Sequence, residues 1–139
     1  MIRAAALLLA FAAGGAAAQV TPLPKNLKIV PPIDDVPGSV RAFSGVWVGK
    51  WGEQQDTTLA VERIDGNKVT FVYSWGPGIR MSQNGGFQRV VGFIDDKGAL
   101  RGTLRGNGAE LIYRWTGEHR LWAEHTREGR THRAVMRRP

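Results

Sequence analysis

From Phe43 to the C-terminus, apolar and polar residues alternate in short runs broken by Gly, Asn and Asp, and no stretch keeps a helical period beyond a turn or two. Alternation at period two sends successive side chains to opposite faces of a strand. The clearest run is Gly45-Val46-Trp47-Val48-Gly49-Lys50-Trp51, in which Trp47, Gly49 and Trp51 share one face and Val46, Val48 and Lys50 the other. Runs of this kind predict about eight strands, at roughly 44–51, 56–64, 68–75, 86–94, 99–105, 109–116, 120–127 and 130–138.

Turn residues then suggest how neighbouring strands pair. Asn107-Gly108 is a strong hairpin signal, and a two-residue turn there sets Leu104 against Leu111, Gly102 against Tyr113 and Leu100 against Trp115. Leu100, Leu104, Leu111, Tyr113 and Trp115 then share one face, and Gly102 leaves room for the Tyr113 ring. A three-residue turn at Asp65-Gly66-Asn67 sets Val61 against Phe71 and Leu59 against Tyr73, with Glu62 opposite Thr70 on the outer face. Glu128-Gly129 sets His125 against His132, Ala123 against Ala134 and Leu121 against Met136, and a short turn at Gly117 to His119 pairs Trp115 with Leu121. Each pairing joins apolar face to apolar face, and a one-residue slip would mix the faces. The expected fold is all-β: an antiparallel up-and-down meander of about eight strands, closed or nearly closed into a barrel, since closure removes the exposed edges.

Composition changes the picture mainly at the N-terminus. Residues 1–18 hold Arg3 and an apolar run, Ala4 to Ala18, that is shorter than the roughly 20 residues a membrane helix needs. The run closes on Ala16-Ala17-Ala18, an A-x-A cleavage pattern, so a signal peptide is expected, with Gln19 as the mature N-terminus and no transmembrane segment after cleavage. An Ala-, Arg- and Gly-rich chain points to a bacterial protein, periplasmic or secreted. Five of the seven prolines fall between Pro22 and Pro37, so residues 19–42 read as an extended, polyproline-like leader, either a spacer or a strap, ahead of a barrel domain at 43–139. The chain has no cysteine, which excludes disulfides, thiol catalysis and a lipidated N-terminal Cys. Its formal charge is +7, and 14 of its 19 basic residues are Arg. An exported protein of that charge meets anionic envelope components before nucleic acid, and no nucleic-acid partner is expected.

Candidate chemistry is sparse. Trp47, Trp51, Phe71, Tyr73, Trp75, Phe93, Tyr113 and Trp115 take inward parity, and they either fill the core or line a cavity. Tyr73-Ser74-Trp75 and Tyr113-Arg114-Trp115 stand at strand ends, where a barrel mouth is expected. Arg89 faces inward if Phe87, Val91 and Phe93 do, and outward if Val90, Gly92 and Ile94 do; both registers are open. His125 opposite His132 could offer two metal ligands, but no third is evident, so no metal is expected. Ser44, Ser74 and Ser82 lie in no nucleophile-elbow context and no acid pair has catalytic spacing, so no catalytic residue and no cofactor is assigned.

Gly45-Val46-Trp47 on the first strand, with Arg138 near the end of the last, resembles the signature of the calycins, the superfamily of lipocalins, avidins and fatty-acid-binding proteins. That resemblance implies a barrel in which Trp47 lies across the closed end and Arg138 packs over its ring, both structural. The expected function is non-catalytic binding of a small hydrophobic or amphipathic ligand, anionic ones included, by Trp51, Tyr73, Trp75, Arg89, Tyr113, Trp115, His125 and His132. The alternative is an envelope module whose basic outer surface binds an anionic glycan, a lipid or a partner protein.

Overall fold

The computed structural model describes residues 21–33, 35–52, 54–78 and 84–139. The expected signal peptide lies outside them, as do residues 79–83 of the connection between the third and fourth strands. Eight antiparallel strands follow one another around a closed barrel: β1 (Gly45–Trp51), β2 (Gln55–Asp65), β3 (Lys68–Trp75), β4 (Gly86–Ile94), β5 (Leu100–Thr103), β6 (Glu110–Gly117), β7 (Arg120–Arg127) and β8 (Arg130–Arg137). The leader contributes a one-turn helix, α1 (Gly38–Arg41), which the sequence pattern did not signal. Among the described residues no helix is long and apolar enough to cross a membrane.

Alternation sets the core. Trp47, Leu59, Val61, Phe71, Leu100, Leu111, Tyr113, Leu121 and Met136 are wholly buried inside the barrel. The β7–β8 register has His125 opposite His132, Ala123 opposite Ala134 and Leu121 opposite Met136. Glu128 and Gly129 both have positive φ, 51° and 77°, as a type I′ turn demands. Glu118 and His119 meet the same demand at 53° and 60°, and Trp115 pairs with Leu121.

Three turns differ from expectation. Between β6 and β7 the turn spans only Glu118 and His119, because Gly117 pairs with Arg120 and a bulge between Trp115 and Gly117 absorbs the extra residue. The β5–β6 hairpin closes through a four-residue loop, Arg105 to Gly108, with the Leu104 N–H donating to Ala109 O at 2.8 Å. Leu111 therefore pairs with Gly102, and Tyr113 with Leu100, two residues from the expected register. A two-residue shift preserves which face each side chain occupies, so the inward set survives. Phe71, rather than Tyr113, fills the space over Gly102. In β2–β3, Val61 pairs with Phe71 and Leu59 with Tyr73, but the turn itself spans only Gly66 and Asn67. A bulge at Glu62 absorbs the extra residue, and Arg63 takes the place opposite Thr70.

That bulge organises the outside of the barrel. The Glu62 carboxylate accepts two hydrogen bonds from Arg89, at 2.7 and 3.0 Å, and one from the Lys28 N–H at 3.1 Å. The Val30 N–H donates to Glu62 O at 2.7 Å, and Thr21 and Thr58 share a hydroxyl bond at 2.6 Å. The Ser74 hydroxyl donates to Pro22 O. Residues 21–30 are thus a strap tied across β2 and β3. It buries outward-facing Thr58, Ala60, Glu62, Val72 and Ser74, and leaves Arg63, Asp65 and Lys68 exposed towards the β2–β3 turn.

Candidate functional site

The two ends of the barrel differ in chemistry. At the floor, where β1 begins and β8 ends, the Trp47 indole N–H donates to Phe43 O at 2.9 Å. The Arg138 guanidinium lies 3.7 Å above the Trp47 ring and donates to Val46 O at 3.1 Å and Ala42 O at 3.0 Å. Gly45 makes this possible: its φ is 101°, and a Cβ there would stand 2.9 Å from the guanidinium.

At the mouth, where β1 and β3 end and β8 begins, five of the expected ligand residues converge. Tyr73 and Trp75 stack with centroids 5.4 Å apart, Trp51 and His125 lie at 5.7 Å, Tyr73 and His125 at 6.1 Å, and His125 and His132 at 6.1 Å. Tyr113, wholly buried, is the sixth and stands edge-on to Phe71 at 6.2 Å, below the others. Trp75 is half-buried and His132 exposed, so the cluster runs from solvent to core.

Among the described residues, three buried polar atoms in this cluster have no hydrogen-bond partner: Trp51 Nε1, Tyr113 OH and His125 Nδ1. All surround Tyr73. Burial pushes the Tyr73 hydroxyl up to about 12, an effect partly offset by the Trp51 N–H beside it. Burial raises Tyr113 well above the ordinary tyrosine range, and Tyr73 adds to the shift. Burial also lowers His125, opposed by its own backbone and reinforced by His132 and Arg127, which favours the neutral ring. Leaving a buried donor or acceptor unsatisfied costs about 1–3 kcal/mol. Uncharged groups carrying such a cost fit a neutral oxygen, since burying an ion without a counter-charge costs far more.

The remaining two expected ligand residues lie elsewhere. Trp115 has inward parity, but β6 runs opposite to β3, so it opens at the floor, edge-on to Trp47 at 5.7 Å and 41% exposed. Arg89 is outside the barrel, paired with Glu62 under the strap. The β4 register that turns Val90, Gly92 and Ile94 inward is the one observed, and Phe87, Val91 and Phe93 are 44%, 63% and 50% exposed. A Cβ at position 92 would stand 2.1 Å from Arg101 O and 2.9 Å from the Phe71 ring, so this inward position admits only glycine. Phe93 accordingly leaves the inward aromatic set.

Glu62 was placed outside but not recognised as the partner of Arg89, because a bulge leaves no mark in alternation. Two grooves lie on the outside of the barrel. One, of about 480 Å³, runs between the leader at Ile33 to Val40 and the floor turns carrying Asp65, Asp95 and Asp96. The other, of about 500 Å³, crosses the β1–β8 seam and contains Trp122, a residue absent from the expected ligand set. An indole on an otherwise polar face was the available signal. Among the described residues no group of three or more His, Cys, Asp or Glu is placed to hold a metal ion. Compared with family models, curated proteins and solved structures, the chain matches none.

Proposed function

We propose that the protein is a non-catalytic binding protein that holds a small, ring-bearing neutral ligand at the barrel mouth. The observation that carries this reading is the trio of unpartnered buried polar atoms, Trp51 Nε1, Tyr113 OH and His125 Nδ1, gathered around Tyr73 in an aromatic wall. Tyr73 and Trp75 supply the stacking surface, and an oxygen of the ligand satisfies the polar atoms below. The floor is filled by Trp47, Leu59, Leu121 and Met136, so the ligand is a compact group rather than a long acyl chain. The Arg138–Trp47 stack supports the resemblance to calycin barrels. On this reading residues 1–18 are a signal peptide and the protein works in the periplasm or outside the cell.

Native mass spectrometry of protein purified from its host, with Trp fluorescence titration against p-cresol, benzamide and acetophenone, tests the reading. Retained small molecules or saturable quenching, weakened by Tyr113→Phe, are expected. A clean apo mass together with no quenching by any probe overturns it.

A further inference from the structure

The seam of the barrel carries a second site of different chemistry. β1 meets β8 through one registered pair, Val48 with Arg137, and beyond it the Gly52 N–H donates to Arg133 O at 3.1 Å. Outside this thin seam lies the groove of about 500 Å³, where Val48, Trp122 and Val135 give an apolar lining beside Lys50, Arg133 and Arg137. Strand alternation builds it: Arg133, Val135 and Arg137 share the outer face of β8, and Val135 stands directly opposite Trp122.

Its charges are not balanced. Glu124 is shared between Arg114 at 3.4 Å and Arg133 at 3.5 Å, and Asp56 faces Lys50 at 3.8 Å. Arg137 stands directly opposite Arg120 in the β7–β8 register. Like charges opposed across a strand pair are destabilising. Among the described residues neither guanidinium has an ion-pair partner, so this corner of the groove is an uncompensated cationic site beside a half-buried indole and an exposed valine.

We propose that this groove docks the protein on an anionic lipid surface, with Arg133 and Arg137 taking a phosphate headgroup and Trp122 and Val135 resting against its apolar boundary. Free phosphate matches only half of the site, since it leaves the apolar lining in water. A phospholipid matches both halves, because interfacial binding sums buried apolar area and attraction to anionic headgroups.

Co-sedimentation of the full chain with phosphatidylglycerol-containing vesicles, against pure phosphatidylcholine vesicles, tests this. Binding only to the former, weakened by salt, is expected. Arg137→Glu should lower the partition coefficient about tenfold and Trp122→Ala by about threefold. Lys97→Glu makes the same change of net charge in the exposed turn between β4 and β5, and should alter it less than about twofold. Thermal melting accompanies each variant, and Arg137→Gln replaces Arg137→Glu if the latter melts early. Equal loss in Lys97→Glu, binding that persists in the groove variants, or glycerol phosphate binding without vesicle binding overturns the proposal. The N-terminal run is identical in every variant, so binding through it shows as persistence.

Discussion

Trp47 and Trp51 sit four residues apart on one strand, on the same inner face, and both are buried, yet they end in opposite conditions. At the floor the Trp47 N–H has a backbone acceptor at 2.9 Å and a guanidinium over its ring. At the mouth, among the described residues, the Trp51 N–H has no hydrogen-bond partner, and neither do the Tyr113 hydroxyl and His125 Nδ1 near it. Burial alone therefore does not separate the structural aromatic from the functional one. Satisfaction of the polar tip does: one end is closed chemically, and the other keeps unused hydrogen-bonding capacity.

The largest expected effect breaks the floor. Trp47→Ala removes a wholly buried indole, its hydrogen bond and the platform for Arg138, and should cost about 3–5 kcal/mol or prevent folding, read by urea denaturation. The milder pair sharpens the contrast. Trp47→Phe should cost about 1–3 kcal/mol, because Phe43 O loses its donor, while Trp51→Phe, which removes an unpartnered N–H, should stay within about 1 kcal/mol of the parent.

Next comes the strap, a satisfied region like the floor. Glu62→Ala strips the acceptor from Arg89 and from the Lys28 N–H, and should cost about 1–2 kcal/mol, the ion-pair share being small because Arg89 is 37% exposed. Faster proteolysis within residues 21–42 should accompany it. The Arg89 hydrogen bonds hold the Glu62 carboxyl below its ordinary range, against the opposing effect of burial. Its stabilisation is complete above the ordinary carboxylate range and lost as pH falls through the lowered native value. Glu62→Gln should flatten that acid limb of a denaturation series.

Much of this was legible in the sequence, and the misses have separate physical causes. Alternation and turn residues located all eight strands, because period-two patterning and hairpin chemistry are local. The inward placement of Tyr113 survived a two-residue register error, since faces repeat every second residue. Arg89 and Phe93 were open to misplacement because β4 is apolar on both parities, and tertiary contacts, the approach of Arg101 O and the Phe71 ring to Gly92, distinguish them. Trp115 had the right face but the wrong end: a motif repeated on oppositely directed strands points to opposite ends of the barrel. The Glu62 bulge and the strap over it depend on residues 27 to 37 positions apart in sequence, Arg89 among them, which no local pattern encodes.

The smaller effects lie at the mouth. Tyr113→Phe should leave stability unchanged or raise it by up to about 1 kcal/mol, while weakening any mouth ligand. A loss of 3 kcal/mol or more, on the order of a core cavity, would show that the hydroxyl is satisfied and the mouth structural. Burial lowers the native value of His125, so the unfolded chain takes up its proton first and stability falls as pH drops below the ordinary histidine range. His125→Gln should remove that slope in a pH series of thermal melts.

The most direct measurement follows the five tryptophan indole N–H resonances during titration with p-cresol, benzamide and acetophenone. The Trp51 signal should shift downfield saturably with at least one probe and exchange rapidly with solvent deuterium when free. The Trp47 signal should stay fixed and protected throughout. A stationary Trp51 resonance with every probe, or equal movement of both, would contradict the division of the barrel into a closed floor and a receptive mouth.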